Sequence, residues 1–318
     1  MGNSLRGARE AAELLAEEDA GENGIRALLQ LSAACLDTGD AGAAAVASEV
    51  AQERAATLTE PLRSQLIGCA ALLGGIAHSI EGAEQRARAC LDEARDRLVA
   101  AGHPEGAALV LTQQALLDVA VGQLDGAQIC FGFARDFYLT SNQPAAAGEV
   151  AALAARAFAE VASPQADPWF AEAIAQADRG AALLGAELVV ERAAALDRAG
   201  ARSQAVEVAM DGARRCARLA EPKAARAITL RARLQLAGWI DDPVEALRHV
   251  EAAFELALEQ REPAALADAM EVVVTGLVAG RFTDVGWRLV DRFRDRLSRA
   301  GFAALAEAAV AALSDLRV

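Results

Sequence analysis

A glycine and a proline stand 22 residues apart four times over, at Gly39/Pro61, Gly82/Pro104, Gly122/Pro144 and Gly200/Pro222. A degenerate copy runs from Asp241 to Pro263, and a last one from Gly280 to Phe302. No other feature limits the possible folds as sharply, because both residues carry fixed conformational meaning. Glycine adopts the left-handed backbone that ends a helix, and proline at a first helical turn sacrifices no hydrogen bond. Glycine therefore marks the end of one helix, and proline the start of the next but one. Between them fits a helix of roughly 16 residues, about 24 Å long. The stretches from proline to the following turn (61–82, 104–122 and 263–280, each closing on glycine, and 222–241, closing on Asp241) are helix-length as well. Each period is a helix pair, A then B. Self-similarity at about 40 residues is the mark of a helical repeat array.

The frame predicts pairs at 24–38 with 41–57, 61–80 with 83–101, 104–121 with 124–140, and 144–162 with 168–180. It continues with 182–199 and 202–219, 222–239 and 243–260, then 263–279 and 283–299. A helix over 4–18, with Leu5, Ala8, Ala12 and Leu15 at helical spacing, precedes them. A closing helix at 302–316 carries Phe302, Leu305, Ala309, Leu313 and Leu316 on one stripe and is expected to cover the last pair, since terminal repeats otherwise expose apolar faces. No low-complexity linker interrupts the series. The expectation is an all-α, right-handed α-solenoid of about seven pairs in one domain over 1–318: an N-terminal helix in 1–20, repeat pairs over 21–300, and a C-terminal capping helix in 301–318. Aromatics make up only 4% of the chain, which suits thin layers of closely packed helices.

Small residues recur where such helices would cross. Ser32, Gly75, Ala115 and Ala193 stand ahead of the helix-ending glycines. Ala44, Ala87, Ala127, Ala205 and Ala246 follow the turn by four or five residues, and Ala51, Ala94, Ala134, Gly212 and Ala253 come seven later. Leu91, Phe131 or Val250 lies between the last two places. In this pattern the chain resembles the tetratricopeptide repeat (TPR) family, whose helices approach closely at three small-residue positions. The period departs from that family's usual length of about 34 residues and is nearer the longer repeats of MalT-like regulators. The fourth pair loses register around 161–180, and the last places Val285 and Arg292 at small-residue positions.

The net charge of −14 disfavours nucleic acid, whose phosphates demand a basic surface. Lys223 is the only lysine, an arginine bias that fits a GC-rich bacterial gene. The five cysteines (Cys35, Cys69, Cys90, Cys130, Cys216) form no Cys-x-x-Cys pair and read as thiols of a reducing cytoplasm. No secretory signal is evident in the acidic N-terminal stretch. The longest uncharged run, Ser64 to Ile80, is 17 residues, too short and polar to span a membrane.

Asp241-Asp242-Pro243-Val244-Glu245 matches the Asp-Asp-x-x-Glu pattern with which all-helical, Mg-dependent terpene synthases hold metal. Pro243 instead points to a helix start with Asp242 as its cap, and Asp167-Pro168-Trp169 reads the same way. His78, His103 and His249 lack a second ligand at i+4, and no nucleophile elbow or P-loop is present, so no catalytic, metal or cofactor residues are assigned. Arg214, Arg215, Arg218, Lys223, Arg226, Arg231 and Arg233 crowd one segment. They read either as an anion site for an acidic partner segment or as a solvated face paired with acids such as Glu187 and Glu191. The A helices at 64–80, 104–121 and 263–279 are apolar nearly all round. In the resembled family helix A lines the concave surface, which would place Leu72, Ile76, Leu116, Val119, Val190, Met270 and Val274 there. The reading is a cytoplasmic, non-enzymatic scaffold, adapter or regulator that holds an amphipathic or acidic partner segment in its groove, without cofactor. The alternative is a MalT-like domain sensing a small molecule; an enzyme ranks last.

Overall fold

The computed structural model describes residues 21–219 and 222–313. The expected helix at 4–18 lies outside them, as do Leu316 and the side chains of Ala309 and Leu313. Among the described residues there are fifteen helices and no strand. In order they are α1 (Glu22–Asp37), α2 (Ala41–Ala55), α3 (Leu62–Ile80), α4 (Glu84–Ala100), α5 (Pro104–Ala120), α6 (Leu124–Thr140) and α7 (Pro144–Glu160). There follow α8 (Ala166–Ala177), α9 (Ala182–Arg198), α10 (Arg202–Cys216), α11 (Pro222–Trp239), α12 (Pro243–Gln260), α13 (Pro263–Val278), α14 (Asp284–Ala300) and α15 (Ala303–Leu313). The fold is all-α, a helical repeat of the α-solenoid class.

The chain divides into two compact units at Ala157/Phe158, near the end of α7. In the first, α1 packs on α2, α3 on α4 and α5 on α6, and α3 also touches both α1 and α5. In the second, α9 pairs with α10 and α11 with α12, while α13 packs against α12, α14 and α15.

The turns are built as the frame predicts. Gly39, Gly82, Gly122, Gly200 and Gly280 all have φ between +66° and +82°. Ala162 takes the same conformation, at φ +52°, so the fourth turn is present without its glycine. Pro104, Pro144, Pro222, Pro243 and Pro263 open their helices. Asp242 caps α12, accepting from the Val244 N–H at 2.8 Å and the Glu245 N–H at 3.4 Å. His103 caps α5 through Nδ1, which accepts from the Gly106 N–H at 3.0 Å. Asp167 is a correction. It sits inside the first turn of α8, which begins at Ala166, and binds the Arg192 guanidinium through both oxygens at 2.6 and 3.2 Å.

The crossing positions account for the closeness of the layers. Ser32, Ala44, Ala51, Ala87, Ala94, Ala115, Ala127, Ala134, Ala193, Ala205, Ala246 and Ala253 have no accessible surface. A Cβ on Gly75 would meet Leu91 at 2.8 Å, and one on Gly212 would meet Val190 at 2.7 Å. Ser32 hides its hydroxyl by donating to the Ala44 carbonyl across the α1/α2 crossing. Leu91, Phe131 and Val250 fill the spaces between. The last pair is shifted by one residue, because Phe282 and Thr283 delay the start of α14 to Asp284. Val285 is consequently exposed, and Arg292 turns outward to pair with Glu251. Gly286 and Phe293 take the inner places instead, and Phe293 stacks on Phe254 with ring centroids 3.7 Å apart.

Candidate partner-binding surfaces

Along α3, α5, α9 and α13 one stripe of residues is left half-buried or exposed. On α3 the stripe is Cys69, Leu73, Ile76 and Ile80, and on α5 it is Leu109, Gln113, Leu116 and Ala120. Counting back from Gly82 and Gly122, these residues occupy matching places on two helices that touch. The result is an apolar strip in the first unit, with Ile80 59% and Leu109 50% exposed. Leu72 is half-buried beside it, against the α4/α5 core.

The same places in the second unit are mixed, charged on α9 and mostly apolar on α13. On α9 they are Glu187, Glu191, Ala194 and Arg198, and on α13 Ala267, Glu271, Val274 and Val278. Arg231 of α11 reaches Glu187 at 3.7 Å, the pairing that an ordinary solvated face would make. Between α11 and α13 lies an open crevice of about 580 Å³ that includes Trp239, Asp268 and Glu271. Arg281 closes one end of it by donating to the Gly238 and Ile240 carbonyls.

Of the residues expected on this surface, Leu72, Ile76, Leu116 and Val274 are half-buried. Val119, Val190 and Met270 are core residues. Val190 faces Gly212 of α10, and Met270 belongs to the cluster formed by α11 to α15. Counting from a turn glycine gives depth along a helix. It does not say which flank the neighbouring helix covers.

A second kind of surface lies between consecutive B helices, over the N-terminal half of the A helix that separates them. In the first unit it is an apolar crevice of about 410 Å³ lined by Val99, His103, Ala107, Ala108, Leu111 and Phe137. In the second unit it holds about 550 Å³ between α10, α11 and α12, and Arg226, Thr229, Arg233 and Glu255 enter its lining. Arg226 lies here, 3.7 Å from Glu259, and does not share a surface with Arg231. Arg215 is drawn away from the segment by Asp178 and Asp211 at 2.7 and 2.8 Å. The crevice was hidden from sequence reasoning because its residues come from three helices. The one available signal was an arginine, Arg233, eleven residues past a helix-opening proline, where Ala115 follows Pro104.

The five thiols are unpaired. Burial is the leading cause that pushes each of them above the usual cysteine range, which leaves them poor nucleophiles at neutral pH. Among the described residues no helix is long and apolar enough to cross a membrane.

No protein-family model matches the chain, and no curated protein does. Among solved structures it is similar to a Rap protein complexed with Competence and Sporulation Factor, at 11% identity and a TM-score of 0.41, over 97% of this chain and 98% of that one. It is also similar to a circular tandem repeat protein with a novel repeat topology, at 14% identity and a TM-score of 0.36, over 97% and 87%. At that distance the likeness speaks to neither partner nor chemistry.

Proposed function

We propose that the protein is a non-enzymatic interaction module that holds an apolar-faced segment of a partner protein against the A helices of its first unit. One observation carries the reading. Leu73, Ile76, Ile80, Leu109 and Leu116 form a strip across α3 and α5, and its outer members are half or more exposed. Contiguous exposed apolar surface marks an interaction site more often than chance, and a partner helix would meet such a strip with residues at i, i+3/i+4 and i+7. In the second unit Glu187, Glu191 and Arg198 of α9 and Glu271 of α13 interrupt the matching places, so a continuous apolar strip across two touching A helices is particular to α3 and α5.

The test places a photo-cross-linking phenylalanine at Ile76, at Leu116 or at the outward-facing Asp136, in the native host. The expected result is one partner captured from both of the first two positions and absent from the third. The change Ile76→Glu should then release that partner while the circular dichroism stays unchanged. Identical captures from all three positions would sink the proposal. The apolar crevice at Val99, Leu111 and Phe137 supports a second reading, a small apolar ligand. That reading requires saturable ligand binding that Ala108→Trp removes and Ile76→Glu does not.

A further inference from the structure

Arg233 stands where its fold has no natural place for a cation. Eleven residues past the helix-opening proline, α5 carries Ala115, fully buried at a crossing, whereas α11 carries Arg233. The Arg233 Nε is buried and has no hydrogen-bond partner. One acid, Glu255, lines the crevice, and its carboxylate is paired with Arg296 of α14. On the adjoining side His249 also has a buried Nδ1 without a partner. Burial, and then the charge of Arg233, pull that imidazole below its ordinary range, with Glu245 opposing. Buried polar atoms are as a rule satisfied by protein, water or ligand, and the rest of the Arg233 side chain is only half-buried and lines the crevice. The rest of the wall supplies the opposite character: Cys216, Leu219, Ala225 and Leu256 are apolar.

We propose that the 550 Å³ crevice between α10, α11 and α12 is a binding site for a small organic carboxylate. Arg233 and Arg226 receive the acid group, and Cys216, Leu219 and Leu256 receive the apolar part. The planar guanidinium fork matches a carboxylate with two parallel hydrogen bonds. Thr229 adds no donor to this set, because its hydroxyl already donates to the Ala225 carbonyl at 2.8 Å. The site belongs to the second unit and stands or falls independently of the partner strip on α3 and α5.

The experiment uses the full chain with three probes of one chain length: octanoate, octyl phosphate and octanol. Isothermal calorimetry should show saturable binding of octanoate, weaker binding of octyl phosphate and none of octanol. Arg233→Ala restores the residue that α5 has at this position, so the variant should fold and melt higher than the parent without ligand. It should bind octanoate at least about tenfold more weakly, the loss of one charge-assisted hydrogen bond. Arg226→Ala, a surface change, provides the second variant and should weaken binding several-fold. Octanoate should also raise the His249 pKa seen by proton NMR, since it neutralises the charge beside that ring. Equal binding of octanol and octanoate would overturn the proposal, as would unchanged affinity in Arg233→Ala or a silent His249. Absence of any binding at millimolar octanoate would overturn it too, leaving Arg233 to water.

Discussion

The two crevices between B helices are the same place in the repeat, built with different side chains. Three, four and seven residues past the opening proline, α5 lines its crevice with Ala107, Ala108 and Leu111, and α11 lines its own with Ala225, Arg226 and Thr229. On the following B helix Phe137 corresponds to Leu256. The backbone frame sets the cavity, and three or four positions set its chemistry. The A-helix stripes repeat the contrast: α3 and α5 are apolar there, whereas α9 carries Glu187, Glu191 and Arg198 at the same places.

The sharpest way to break this comparison is to move the charge. Ala115→Arg places an unpartnered guanidinium at a crossing with no accessible surface and should cost about 3–5 kcal/mol, the usual penalty of an uncompensated buried charge. Urea denaturation gives the number. A loss below about 1 kcal/mol would mean that the crossing has slack, and that Arg233 is not under strain in its own unit.

Volume comes next. Ala134→Leu adds side-chain bulk where α6 crosses its neighbours with no surface to spare, and should destabilise by roughly 1–3 kcal/mol. The last pair of the second unit accommodates Phe293 at the corresponding place, by stacking it on Phe254. A parent-like melting temperature for Ala134→Leu would show that the first unit can widen in the same way.

The smallest effect concerns the turns. Ala162 holds the left-handed conformation that glycine holds at the equivalent turns. Ala162→Gly should stabilise by roughly 0.5–1 kcal/mol, relief of backbone strain less the entropy that glycine brings to the unfolded chain. The mirror change Gly122→Ala meets no atom within 4 Å, so any loss it shows is conformational. Paired thermal melts read both, and opposite signs are the expected result.

Much of this was legible in the sequence. The Gly/Pro frame located the described helices to within a few residues, and the small residues it singled out proved to be buried crossings. Three things were not legible, each for a physical reason. Arg233 was visible only as one member of a basic segment, because the crevice that it lines is assembled from α10, α11 and α12. Counting forward from Gly280 chose Val285 and Arg292, because two loop residues delay α14. Core and groove could not be separated for Val119, Val190 and Met270, since burial of an A helix depends on the next helix as well as its own pair.

Arginine usage has a practical consequence for the basic crevice. Lys223 is the only lysine side chain in the protein; it is exposed on the first turn of α11, three residues ahead of Arg226. Besides the chain's α-amino group, an amine-reactive fluorophore therefore finds one lysine, one helical turn from Arg226 of the crevice lining. The molecule thus comes with a built-in attachment point for a reporter, and occupancy there can be followed by emission without introducing a new residue anywhere in the chain.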